Sequence, residues 1–267
     1  MHRRDFLAAS GTAALGLALS RASKAAEPEQ KALIELRTYH FASPEKQQAY
    51  EKFIGQTEIP ALNRAGINPV GAFKLLAKDN PTLKLNEDST DLYVVIPHKS
   101  LESLVSMEDK LARDEEYQKA GAAALVTPQK EPAFVRFESR LLSAFDMFPQ
   151  VEVPTQSPKR LIQLRTYESH SRERALKKLE MFQQGGEIPI FKRSGMPGVF
   201  FGECLVGDKM PNLTYMLSFE DDEAQKQGWQ NFGKDPDWKK LSKDEKYKDT
   251  VSHITNLLLR PCEGSQI

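Results

Sequence analysis

The sequence is short of the residues that most readily announce a chemistry. It holds 2 cysteines, Cys204 and Cys262, with no C-x-x-C spacing, so it encodes neither a disulfide framework nor a cysteine-rich metal site. His40, His98, His170 and His253 are scattered, with no i, i+4 pair and no H-E-x-x-H, and converging metal or haem ligands are not expected. G-x-S-x-G, P-loop and G-x-G-x-x-G patterns are missing too, which removes the nucleophile elbow and the common phosphate cradles. Neither sign of charge is in excess: 37 basic residues balance 37 acidic ones, leaving no long-range field to attract nucleic acid or an anionic membrane. No apolar run approaches the roughly 20 residues of a membrane-spanning helix. The expectation is a protein without metal, cofactor or nucleic-acid partner.

What is present begins at the N-terminus. Residues 1–26 read as a segment outside the fold: Arg3-Arg4 precede Phe6-Leu7, a mild apolar stretch runs from Ala8 to Leu19, and Arg21 and Lys24 follow. This resembles a bacterial twin-arginine signal, with small residues Ser23 and Ala25 suiting cleavage after Ala25. The alternatives are a general secretory signal or an uncleaved anchor. On the first reading the protein is exported to the periplasm or cell envelope and keeps no stable membrane span. That route carries folded chains out of a reducing cytoplasm, which fits two free, buried thiols, with a late Cys204–Cys262 bond after export as the alternative.

The second feature is an internal repeat. Ile34-Glu35-Leu36-Arg37-Thr38-Tyr39 recurs as Ile162-Gln163-Leu164-Arg165-Thr166-Tyr167, changed only at the second position. Glu58-Ile59-Pro60 recurs as Glu187-Ile188-Pro189 at an offset one residue longer, and Gly66 and Gly195 keep that offset, each shortly before a proline. Each copy reads β-α-β-β-α-β. In the first, residues 32–41 alternate as a strand, Ser43-Pro44 starts a helix, and Tyr50, Phe53, Ile54 and Thr57 form one helical face. Pro60 predicts a kink or a fresh start, and Gly66 an end. Strands follow at 70–77 and 91–97, then one charged helix over 101–124 and a closing strand over 133–142. The second copy repeats the scheme with strands near 160–169, 199–206, 213–219 and 251–259. Its helices lie near 172–193, loosened at Gly185-Gly186, and 221–247, broken around Gly233 and Pro236. Copies over 32–145 and 160–262 are joined by a proline-bearing linker, 146–159. The fold class is α+β, with two tandem ferredoxin-like modules.

The strand Glu35-Leu36-Arg37-Thr38-Tyr39, the helical Glu58-Ile59-Pro60, and the run from Trp229 through Phe232 and Asp235-Pro236 to Trp238 resemble the NIPSNAP domain, whose features are an E-x-R-x-Y strand and a W-x-x-F-x-x-D-P-x-W helix. The second copy carries the tryptophan motif whole. The first has Glu108, Glu115 and Tyr117 where Trp229, Pro236 and Trp238 align. The resemblance implies a dimeric α+β-barrel fold, two ferredoxin-like sheets packed face to face, here supplied by one chain. It implies no assigned reaction.

The candidate ligand-binding residues are Arg37, Tyr39, Glu58, Arg165, Tyr167, Glu187, Trp229 and Trp238. If Leu36 and Leu164 face the helices, Arg37, Tyr39, Arg165 and Tyr167 face the space between the sheets. Arginines there need carboxylates, for which Glu58 and Glu187 are the candidates. Such a cavity suits a small carboxylate or phenolic ligand. The alternative for the same atoms is a satisfied polar core that docks the halves, and for Trp229 and Trp238 a hydrophobic anchor. Three functions stay open: a small-molecule binder, a cofactor-independent oxygenase- or isomerase-like enzyme, and an interaction scaffold. A homo-oligomer is compatible with each.

Overall fold

Residues 30–267 are described by a computed structural model, so the expected export segment lies outside the described residues. The first repeated strand, β1 (Leu33–His40), alternates apolar and polar residues and is buried on both faces. Helix α1 (Pro44–Phe53) starts as expected: Ser43 accepts a hydrogen bond from the Lys46 amide, and Pro44 takes the first turn. Pro60 does not stop the helix. It has no N–H for the turn before it, and the chain widens into a π-helical turn, Ile54–Glu58, then resumes as α2 (Ile59–Arg64). Gly55 in that turn is required, because a Cβ there would collide with the Glu263 carbonyl.

Strands β2 (Gly71–Leu75) and β3 (Asp91–His98) follow. The helix expected over 101–124 is two helices, α3 (Leu101–Ala112) and α4 (Glu115–Leu125), divided where the Asp114 carboxylate accepts from the Tyr117 amide and starts a new N-terminus. Strand β4 (Arg136–Ala144) ends the first half. The second half runs β5 (Leu161–Glu168), α5 (Arg172–Gln183), α6 (Glu187–Arg193), β6 (Gly198–Val206), β7 (Asn212–Phe219), α7 (Asp222–Lys234), α8 (Pro236–Leu241) and β8 (His253–Pro261). Gly186, at φ 85°, makes the left-handed step between α5 and α6.

The strands close an antiparallel barrel in the order β1-β3-β2-β8-β5-β7-β6-β4. Each half contributes four neighbours, β4-β1-β3-β2 and β8-β5-β7-β6, and the halves join edge to edge at β2–β8 and β4–β6. The barrel expected from the resemblance forms within one chain, and its two sheets pair at their edges, which satisfies backbone groups that would otherwise be exposed. No second copy is needed to complete the barrel.

Ile34, Leu36, Phe73, Val95, Leu142, Ile162, Leu164, Phe200, Met216 and Leu259 fill the interior. The 146–159 linker is packed rather than free: the Ala32 amide donates to the Pro149 carbonyl (2.8 Å), and Val151 and Val153 lie against the interior cluster. Two further clusters lie between sheet and helices, around Tyr39, Tyr50 and Phe53 in the first half and around Phe182, Phe191, Tyr215 and Phe232 in the second. Cys204 and Cys262 are buried and free.

Candidate functional site

The structure reverses the expected orientation of the repeated strand. Leu36 and Leu164 point into the barrel, while Arg37, Tyr39, Arg165 and Tyr167 point outward beneath the helices. The reason is the supply of partners. For Arg37 the stabilising carboxylates, Glu35 and Glu108, lie on the outer strand face and on the covering helix α3.

In the first half Arg37, 7% exposed, is fully engaged. Its Nε donates to Glu35 Oε1 (2.7 Å), Nη2 to Glu35 Oε2 and Glu108 Oε1 (3.2 Å each), and Nη1 to Tyr39 Oη (3.2 Å). The Ser139 hydroxyl donates to Glu35 (2.7 Å), and His98 Nε2 lies 3.6 Å from it. Burial alone would raise the Glu35 pKa; His98, Arg37 and Ser139 together outweigh it and hold the carboxyl at about 2. Glu58, on the π turn, has the opposite fate. It is buried, its Oε2 has no hydrogen-bond partner, and burial pushes it up to about 7, with Glu108 and Glu35 adding to the effect and Arg37 opposing it.

The second half uses the same positions differently. Gln163 replaces Glu35 and bonds to Asn256 Oδ1 (2.5 Å) and Trp229 Nε1 (2.7 Å). Arg165 lies 4.6 Å from the Trp229 ring centre and 5.2 Å from that of Tyr167. Trp229 therefore covers Arg165 as Glu108 covers Arg37. Glu187 is paired with Lys178 Nζ at 3.0 Å, and Lys178 also lies over the Phe182 ring (4.8 Å). Burial still raises the Glu187 pKa against the pull of Lys178. Tyr167 and Tyr215 share a hydroxyl hydrogen bond of 2.9 Å. Trp238 takes no part; its ring packs on Phe232 at 4.4 Å, and it anchors α8. All but one of these candidates thus fall in two separate clusters rather than one cavity, and Trp238 lies outside both.

The barrel does contain a cavity, lined by residues the sequence reading passed over. At the His40 end the interior opens into a volume of about 290 Å³ bounded by Leu36, Thr38, His40, Asp91, Tyr93, Glu138, Arg140, Leu164, Thr166, Asp208, Lys209, Thr255 and Leu257. His40 Nδ1 is 2.8 Å from Asp91 Oδ1, and its Nε2 is 3.4 Å from Glu138 Oε1. Arg140 pairs with Asp208, and Lys209 Nζ donates to Thr255 Oγ1 (3.2 Å). Burial raises the Tyr93 hydroxyl pKa, reinforced by Asp91. Leu36, Leu164 and Leu257 give the cavity an apolar floor, and the charged residues ring its mouth. The one signal in the sequence is parity: Thr38 and His40 continue the alternation that turns Ile34 and Leu36 inward. Among the described residues no group of three or more His, Cys, Asp or Glu is placed to hold a metal, and no helix is long and apolar enough to cross a membrane.

The NIPSNAP family model matches the stretch that begins in β5 and ends beyond β8. Residues 162–266 are a NIPSNAP domain. Its strand motif and its tryptophan helix are the parts that meet at Arg165 and Trp229. No curated protein matches the chain. Solved structures share the fold of the NIPSNAP domain and the half before it together. One is a "putative monooxygenase" from Fusobacterium nucleatum, with a TM-score of 0.55 and 10% identity, covering 87% of this chain and 93% of that one. Another, a "putative monooxygenase" from Lactobacillus acidophilus, has a TM-score of 0.56 and 12% identity, covering 88% and 97%. An anthrone oxidase-like protein gives 0.50 and 12%, covering 90% and 97%. At these identities the likeness is one of fold.

Proposed function

We propose that the chain is a small-molecule-binding protein of the cell envelope whose ligand enters the open end of the barrel. One observation carries this reading: the interior is packed with side chains except at the His40 end, where an apolar floor and convergent polar groups form a cavity of about 290 Å³. The ligand that fits is small, with an apolar or aromatic body and a polar group reaching His40, Tyr93 or Arg140. Thr38, half-buried on β1, lines the wall, and Thr38→Trp fills the space without removing a charge. A thermal-shift screen of phenols and small carboxylates on both forms tests the proposal. Stabilisation of the wild type by some compound, absent in Thr38→Trp, is expected; equal responses in the two forms would place binding elsewhere.

A second reading is cofactor-independent catalysis in the same cavity. It draws on His40, whose ring nitrogens lie 2.8 Å from Asp91 and 3.4 Å from Glu138, and on neighbours named as monooxygenases and as anthrone oxidase-like. Oxygen uptake with anthrone as probe, compared with His40→Ala, decides it: uptake that is nil, or unchanged in the variant, removes this reading.

The same proposal treats the two halves as tandem copies of one NIPSNAP-like module, over 32–145 and 160–262, the first of which has traded the tryptophan motif for Glu108 and Tyr117. It places the protein outside the cytoplasm on the strength of the Arg3-Arg4 segment; undiminished export after both are changed to lysine would contradict that placement.

A further inference from the structure

The two halves put an arginine at the same register. Arg37 on β1 stands opposite Val94 and Ser139; Arg165 on β5 stands opposite Tyr215 and Asn256. In the first half the chain supplies the counter-charge, with Glu35 taking two nitrogens and Glu108 a third contact. In the second both carboxylates are gone. Gln163 stands in for Glu35 and turns to Trp229 and Asn256, and Trp229 stands in for Glu108. Arg165 has no carboxylate within ion-pair distance among the described residues, and its Nε is enclosed without an acceptor. Glu187, the buried acid on which Arg165 acts through its charge, is already matched by Lys178, so these three groups are two cations and one anion. A guanidinium held between aromatic rings with no counter-ion is costly, and an anion from outside the chain would relieve that cost.

We propose that Arg165 anchors a second ligand site, on the outer face of β5 beneath α7 and separate from the barrel mouth, that takes the carboxylate of a small organic acid. The first half shows what an arginine at this register accepts: a carboxylate, on two parallel N–H donors. The Trp229 and Tyr167 rings exclude water from one side of the group and strengthen the pairing. Because Arg165 is half-buried rather than sealed, it can be reached from solvent.

Trp229 is the built-in reporter. In a Trp238→Phe background it is the only indole left, and its emission is followed during titration with propionate, a mimic of the Glu35 side chain, at fixed ionic strength. Inorganic phosphate and neutral propionamide serve as comparisons. Saturable change with propionate, and at least about tenfold weaker response to phosphate and propionamide, is expected. Two variants then lose the propionate response by about tenfold or more. Arg165→Gln removes the anchor; Gln163→Glu installs the first half's internal carboxylate and keeps the fold if the other does not. No response in the parent protein, an unchanged response in Gln163→Glu, or equal binding of phosphate would each overturn the proposal.

Discussion

Replacing Glu58 by glutamine is expected to make the protein more stable, and only above a definite pH. The carboxyl is buried on the π turn, one oxygen lacks any partner, and its pKa moves from 4.5 to about 7. The folded state therefore holds a proton that the unfolded chain releases between pH 4.5 and about 7. The cost of the buried charge is nil below the lower value, grows as pH rises through the window, and is complete above the upper one. A shift of this size corresponds to about 3 kcal/mol, since each pKa unit is worth about 1.4 kcal/mol. Glutamine keeps the shape and removes the charge, while its own amide protons need acceptors, at a cost of about 1 kcal/mol. The net gain at about pH 8 is then about 2 kcal/mol, or roughly 4–8 °C in Tm for a chain of this size. Urea denaturation of both forms, followed by far-ultraviolet circular dichroism from about pH 5 to about pH 8, measures it directly. Curves that run parallel across that range, or a wild type that is the more stable at the alkaline end, would refute the reasoning.

Other consequences follow from the unequal halves. Arg37→Ala leaves Glu35 buried with its main counter-charge gone and should cost about 3–5 kcal/mol, whereas Arg165→Ala strands no carboxylate and should cost about 1–2 kcal/mol, both by chemical denaturation. Similar costs for the two would mean the halves are not electrostatically distinct. Lys178→Met removes the partner of Glu187 and should destabilise by about 3 kcal/mol at neutral pH, with the loss shrinking as pH falls and Glu187 takes up a proton; a loss independent of pH would show that packing alone was at stake. The Glu35 carboxyl, held at about 2, stabilises the fold fully above the unfolded value near 4.5 and loses that contribution as pH falls between the two, so Glu35→Gln should flatten the acid limb of stability below pH 4.5.

The succession of strands and helices in each half was legible because it depends on local pattern, such as the alternation in Ile34–Tyr39 and the cap at Ser43, whereas the one loosened helix expected over 172–193 is two helices that part at Gly186. The sequence misled about which way the strand faces. Leu36 and Arg37 lie on opposite faces, each face can be buried, and alternation alone does not say which one meets the helices. The decision belongs to Glu108 and to the outer-face residues Glu35 and Ser139, whose approach to Arg37 is fixed only by tertiary packing. The cavity was invisible for a related reason. His40, Asp91, Glu138, Thr166 and Thr255 come from β1, β3, β4, β5 and β8, and they converge only once the barrel closes. Residues read as one site, Arg37 with Arg165, lie in different clusters for the same reason. The anchor reading rested on the i, i+3 spacing of Trp229 and Phe232 and was offered for both tryptophans; the position of Trp229 over Arg165 required the fold.

The central claim is that the open end of the barrel holds a small molecule. Mass spectrometry of the natively purified chain, run under non-denaturing and then denaturing conditions, tests it most directly. The account predicts an excess mass of small-molecule size in the native spectrum, released on denaturation and missing from Thr38→Trp. A native mass equal to that of the bare polypeptide with every compound of the screen, or an excess retained unchanged in Thr38→Trp, would contradict it.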